Sequence, residues 1–211
     1  MVNILLEGYD FAAPWLYHEL KNYIMPFHKV AVVAFSFRDR RVKSLADWNL
    51  LYSKENGRFY GGIIGNFGAY GISEENIMFI NYFTDTKDSA KNKIENADII
   101  YFLGGLPDKM MDRIQEFELQ DVLIKHEGIV MGHSAGAVIQ LAEYHLSPDD
   151  DYCKFGYYKG LPYLNDFYLE VHYEDTVIQN QSIQRVLEER NKKVYATSYM
   201  KGAILVDDGV L

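Results

Sequence analysis

Hydrophobic residues along the chain gather into short continuous runs separated by helical patterns. Val2 to Leu6, Val30 to Ala34, Ile77 to Ile80, Ile99 to Leu103 and Ile129 to Met131 do not alternate apolar with polar. Such runs predict strands buried on both faces. Between them the spacing predicts helices at Trp15 to Tyr23, Ser44 to Lys54, Phe59 to Tyr70, Lys87 to Asn96, and Pro107 to Lys125 with a break near Gln120. Ser44 followed by Asp47 marks a helix start, because a serine side chain can accept a bond from an amide three residues on. Strand and helix in strict alternation predict an α/β fold with a doubly wound, mostly parallel sheet flanked by helices.

The segment Phe59 to Tyr70 is glycine-rich, with Gly61, Gly62, Gly65 and Gly68, and each glycine weakens a helix interior by up to about 1 kcal/mol. Ile63, Ile64, Phe67 and Tyr70 still fall at helical spacing, which predicts a tightly packed helix, with a glycine-rich loop as the alternative. Beyond Tyr144 the pattern changes. Leu146 to Leu164 reads as a polar and aromatic loop, followed by strands at Phe167 to Val171, Val194 to Ala196 and Ala203 to Val206 and a helix at Ser182 to Arg190. No repeat or low-complexity linker interrupts the chain, so residues 1–211 are expected to form one domain.

Composition narrows the function. The 211 residues are 48% hydrophobic and 24% charged, which excludes disordered, collagen-like and coiled-coil chains. Thirty acidic against 21 basic residues give a net charge of −9, so a nucleic-acid backbone would be repelled. The single Cys153 offers neither an internal disulfide nor a thiolate pair for zinc. The apolar N-terminus lacks a basic lead, and the other runs are far too short to span a bilayer. The expectation is therefore a cytoplasmic protein with no membrane or nucleic-acid partner and no cofactor or metal. Seventeen tyrosines suit either a homodimer interface or a half-buried surface.

The chemistry is concentrated at Gly132-His133-Ser134-Ala135-Gly136-Ala137, which follows the strand ending at Met131 and precedes an apolar, helix-like stretch, Val138 to Tyr144. Gly-x-Ser-x-Gly between strand and helix is the context of a nucleophile elbow: small neighbours let strand and helix approach and push the serine hydroxyl into the open. Gly104-Gly105 follows the strand Ile99 to Leu103. Its amides, with that of Ala135, could hold the oxyanion of an acyl-transfer intermediate.

A serine hydroxyl needs a base to take its proton. His133 should point away from Ser134, and His145 should lie some three turns down the following helix. His18, His28 and His126 belong to surface-like segments. His172, at the end of an apolar strand, is the best candidate. The acid that would orient it is open among Asp149, Asp150 and Asp151 after the elbow and Glu170, Glu174 and Asp175 around the histidine.

The Gly-x-Ser-Ala-Gly-Ala elbow after a Gly-Gly turn, with a later apolar strand ending in Val171-His172, resembles the serine peptidase family of aspartyl dipeptidase (peptidase E) and cyanophycinase. The resemblance implies a fold like that of class I glutamine amidotransferases, a Ser134 nucleophile, a His172 base and oxyanion donors at Gly105 and Ala135. Asp149 stands fifteen residues after the serine, matching one acid of the dipeptidase. Three departures stand out. The usual Gly-Gly-Asn-Thr reads Gly104-Gly105-Leu106-Pro107, a second acid before the last strand would fall near Tyr199 or Met200, and the basic residue that reads an acidic substrate would fall near His145. Aspartyl specificity is thus not implied. The expected function is serine-type cleavage of a small peptide or related amide. The alternatives are a catalytically impaired ligand-binding protein on the same scaffold and, less suited to the roughly 75 residues after the elbow, an α/β-hydrolase esterase.

Overall fold

Strands covered on both faces must be apolar on both, and the first five runs meet that demand. In the computed structural model, which describes residues 1–198 and 201–210, the chain runs β1 (Val2–Leu6), α1 (Pro14–Leu20), β2 (Val30–Val33), α2 (Leu45–Tyr52), α3 (Tyr60–Ala69), β3 (Ile77–Ile80), α4 (Lys87–Glu95), β4 (Ile99–Phe102), α5 (Pro107–Glu116), α6 (Gln120–Ile124) and β5 (Ile129–His133). It continues through α7 (Ala135–Val138), β6 (Glu143–Leu146), β7 (Gly156–Lys159), β8 (Phe167–Tyr173), α8 (Val177–Arg190), β9 (Lys193–Ser198) and β10 (Ala203–Asp207). The central sheet has the order β10-β1-β5-β4-β2-β3. Its strands are parallel apart from β10, which pairs antiparallel with β1.

Alternate side chains of each strand feed two cores. On one face Leu5, Val33, Phe102 and Val130 pack with Ile94, Met110, Ile114 and Leu123 from α4, α5 and α6. On the other, Leu6, Val32, Tyr101 and Met131 pack with Leu16, Trp48, Ile63 and Phe67 from α1, α2 and α3. The result is a mixed α/β architecture with a mostly parallel sheet between helical layers. Among the described residues no helix is long and apolar enough to cross a membrane. Asn3 is the polar exception in β1. Its amide donates to Gln140 Oε1 at 3.0 Å, and Gln140 Nε2 donates to the Gly136 carbonyl at 3.1 Å, tying the first strand to the elbow.

Two sequence expectations change. The stretch Val138 to Tyr144 is not a helix: α7 is a single turn, and β6 pairs antiparallel with β7. The reason lies in the segment around residues 160–164, which captures the backbone that a helix would have used. Leu161 N donates to the Ile139 carbonyl at 2.7 Å, Leu164 N to that of Gln140 at 3.1 Å, and Ala142 N to that of Leu164 at 2.8 Å. The Tyr144 and Tyr158 rings stack across the new ladder at 5.6 Å. The region Leu146 to Leu164, read as a loop, therefore contains a strand.

The glycine-rich segment does form α3, but its glycines serve no close packing. A Cβ built on Gly61, Gly62, Gly65 or Gly68 would meet nothing within 4 Å. Gly136 is the contrasting case, since a Cβ there would lie 2.1 Å from the Phe102 carbonyl oxygen. These opposite environments predict opposite effects. Gly65→Ala should stabilise the protein by about 0.5–1 kcal/mol, whereas Gly136→Ala should destabilise it by about 2 kcal/mol or more through forced separation of β4 and the elbow. Urea midpoints at unchanged slope measure both. A neutral Gly136→Ala would show that the elbow does not depend on this contact.

Candidate active site

The carboxyl ends of parallel strands are where an open α/β sheet exposes backbone and loops to a ligand. Ser134 sits there, directly after β5, with φ 51° and ψ −114°. Positive φ is strained for a residue with a Cβ. The turn is held because Ser134 N donates to the Leu6 carbonyl of the neighbouring β1 at 2.9 Å. The hydroxyl emerges toward the end of β8, where Ser134 Oγ lies 2.7 Å from His172 Nε2.

His172 is also strained, at φ 55°, in an irregular stretch of the β8–β9 ladder. What holds it is Glu7, the residue after β1. The Glu7 side chain is wholly buried, and its carboxyl contacts His172 Nδ1. Both carboxyl oxygens also accept the His172 backbone N–H at 3.0 Å, and Oε2 accepts the Thr197 hydroxyl at 2.7 Å. Gln179 Nε2 donates to the His172 carbonyl at 2.9 Å. The bond to Glu7 is the largest cause raising the His172 pKa above its ordinary 6.5. Burial opposes it, and the charges of Glu7, Asp149 and Glu170 add to it.

Asp149, expected next to the imidazole, is not there. It caps its own loop: Oδ1 accepts the backbone N–H groups of Asp151 at 2.8 Å and Tyr152 at 2.7 Å. It faces the same cleft as His172 and acts on it only through space. The other candidate acids are also engaged elsewhere or not in contact. Asp151 pairs with Arg38, Asp175 Oδ1 accepts from the Tyr173 hydroxyl and Asn180, and the Glu174 backbone N–H donates to Gln179. Glu170 Oε2 contacts His145 Nε2 at 2.6 Å and accepts from the Ser147 hydroxyl at 2.8 Å. His145 thus lies in β6, its side chain fully buried against Glu170, rather than along a helix. Tyr199 and Met200, the positions matching a second family acid, lie outside the described residues.

Opposite the histidine, the two glycines have different fates. Gly104 N–H donates to His133 Nε2 at 3.0 Å, while the His133 Nδ1 side meets the Tyr101 hydroxyl at 2.9 Å. Accepting through Nε2 requires the neutral imidazole. Burial first, then the nearby His172, pushes the His133 pKa down to about 4. The Gly104 amide is therefore engaged inside the protein and is removed from the candidate oxyanion donors. The Gly105 and Ala135 amides make no hydrogen bond among the described residues. Gly105 has φ 144°, and a Cβ there would lie 2.3 Å from the Ser36 carbonyl oxygen, so only glycine fits. Ser36 fixes this turn: its hydroxyl donates to the Gly104 carbonyl at 2.6 Å, and its carbonyl accepts Leu106 N–H at 2.8 Å. Such an arrangement can take a proton from a hydroxyl and leave two amides available to a negative oxygen. Among the described residues, no group of three or more histidine, cysteine or carboxylate side chains could hold a metal ion.

The family described as Peptidase family S51 matches residues 67–210, more than half of the chain. No curated protein matches the sequence. Among solved structures, a Listeria monocytogenes EGD-e protein assigned as a peptidase E superposes with a TM-score of 0.63 at 16% identity, over 97% of this chain and 96% of that one. A peptidase from an acI-B1 actinobacterium gives 0.60 at 13% identity, over 97% and 82%. At these identities the likeness is one of fold.

The placement of Glu7 and Asp149 makes a direct prediction for the imidazole. NMR titration should find His172 titrating above 6.5. Glu7→Gln should lower that value markedly, and Asp149→Asn, which keeps an acceptor for its own loop, should lower it less. A larger drop from Asp149→Asn would reverse the assignment.

Proposed function

The chain belongs to peptidase family S51, and from that premise we propose that residues 1–211 act as one serine-type peptidase domain on a small peptide or related amide. Ser134 is the nucleophile, His172 the base, and Glu7 the residue that positions the base. The observation that carries this reading is the continuous contact from Ser134 Oγ through His172 to the buried Glu7 carboxyl.

The Ser134 oxygen attacks the scissile carbonyl carbon as its proton passes to His172 Nε2. The carbonyl oxygen becomes an oxyanion, stabilised by the amides of Gly105 and Ala135. One such donor is typically worth about 10² to 10³ in rate. The tetrahedral intermediate collapses with cleavage of the C–N bond, and the amine leaves with the proton held by His172. A water molecule, deprotonated by the same nitrogen, then releases the acyl group from Ser134. Glu7 keeps the imidazole in the tautomer that has its proton on Nδ1 and stabilises the imidazolium formed at each attack.

Wild-type protein should react with a fluorophosphonate probe, and Ser134→Ala should abolish labelling and lower kcat/KM by about 10³ or more without unfolding. Labelling of Ser134→Ala would place the nucleophile elsewhere. The base must be neutral to accept a proton, and its pKa is raised. Activity should therefore be lost as pH falls through a limb above pH 6.5 in kcat/KM. Glu7→Gln should move that limb to lower pH and reduce the plateau by about 10² to 10⁴. An unmoved limb would remove Glu7 from its role.

A further inference from the structure

Two depressions are lined by neighbours of Ser134, one by His172, which contacts its hydroxyl, and one by His133, which precedes it, and they differ in chemistry. One is lined by His172, Glu170, Asp149 and Gln179. The other is a cavity of about 460 Å³ lined by Gly104 and His133, the residues immediately before Gly105 and Ser134. In an acyl transfer the base delivers its proton to the departing amine, so the leaving group lies on the histidine side of the serine. On the peptidase reading above, on which this inference rests, the cavity beside His133 then lies on the acyl side.

We propose that this cavity selects the acyl residue and takes an aromatic side chain, phenylalanine or tyrosine. Its walls are Tyr9, Tyr52, Phe59, Ile63 and Tyr101. Tyr9 is 58% exposed, which leaves its ring available to a ligand, and Phe59 is 45% exposed, with one side of its ring facing Tyr52 and Arg58. Aromatic rings favour edge-to-face and offset contacts with another ring beyond the burial of area, and Tyr9 already meets the His133 ring edge-on at 6.4 Å. Because His133 is held neutral, it closes the pocket without adding a charge. Tyr52 is buried at 5% exposure, and its ring packs against Trp48 and Phe59, so the wall it forms is aromatic and fixed. Arg58 also lines the cavity, its guanidinium 5.5 Å from the centre of the Phe59 ring. Lysine and arginine side chains are disfavoured there by like charge. The cavity is open on the α3 side because Gly62 contributes no side chain, and a Cβ added there meets nothing within 4 Å. Gly61 is equally unobstructed but does not line the cavity.

These two glycines allow a test that spares the fold. In the Ser134→Ala background, binding of the N-acetyl amides of phenylalanine, tyrosine, alanine, aspartate and lysine is measured by NMR titration. Phenylalanine and tyrosine should bind about tenfold or more tighter than alanine, with lysine weakest. Adding Gly62→Leu should bring phenylalanine close to alanine, while Gly61→Leu should leave the preference intact. Wild-type hydrolysis of the matching aminoacyl coumarin amides should follow the same order. Alanine or aspartate binding as tightly as phenylalanine, or a preference that survives Gly62→Leu, overturns the proposal. Hydrolysis without aromatic preference overturns the pocket alone and leaves Ser134 as nucleophile. Aromatic-selective binding with no hydrolysis of any amide overturns the peptidase reading, and the acyl-side assignment with it.

Discussion

A buried carboxyl group at the end of the first strand is the constraint on which the site depends. Glu7 is wholly enclosed, and a carboxylate taken out of water is tolerated only when its oxygens are bonded. Its partners are the ring and the backbone of one residue, His172, with the Thr197 hydroxyl closing the shell. The same contacts that satisfy the carboxyl hold His172 at a positive φ that the backbone would otherwise avoid. They also set two opposing pH demands. The raised imidazole pKa means that the charged pair stabilises the folded state fully below pH 6.5 and loses that contribution as pH rises through the folded value. Turnover on the proposed mechanism needs the neutral form and so begins where that stabilisation fades.

The Gly104-Gly105 turn is held by a second, independent chain of support. Arg113, buried on α5, donates to the carbonyls of Phe35 and Phe37, the latter at 2.9 Å, and lies 3.6 Å over the Phe37 ring. Between those two carbonyls is Ser36, which clamps the Gly104-Gly105-Leu106 turn. His133 completes it by accepting the Gly104 N–H, while the Gly105 amide makes no hydrogen bond among the described residues. Both supports meet at Ser134, whose own strained turn is held by β1. A reacting group gains most from neighbours fixed before the reaction begins.

Much of this was legible in the sequence, and the part that was not has an identifiable cause. Uninterrupted runs such as Val30 to Ala34 read as buried strands, and Gly132 to Gly136 marks its own turn because steric crowding admits few residues there. The stretch Val138 to Tyr144 has helical spacing yet forms no helix, because the competing partner, the segment around residues 160–164, is distant in sequence and its hydrogen bonds leave no local pattern. Glu7 is hidden for a similar reason, its partners lying 165 and 190 residues away. A charged residue directly after a buried strand, at the carboxyl end of a parallel sheet, is a signal. Its meaning depends on β1 lying beside β5, with Leu6 paired to His133, and on β8 arriving above both. Asp149 matches a family acid by spacing alone, yet an aspartate two and three residues before free backbone amides readily bonds its own loop. The Gly104 amide is open by sequence, whereas in the fold the histidine inside the elbow occupies it.

The central claim is that Ser134, His172 and Glu7 act as one unit, and a double-mutant cycle on turnover tests it most directly. Rates would be compared for wild type, Glu7→Gln, His172→Ala and the combined variant on any amide that the wild type cleaves. If Glu7 works through the imidazole, Glu7→Gln lowers the rate in wild type and lowers it no further once His172 is alanine. Losses that multiply, with the combined variant slower than His172→Ala by the full Glu7→Gln factor, would contradict the account.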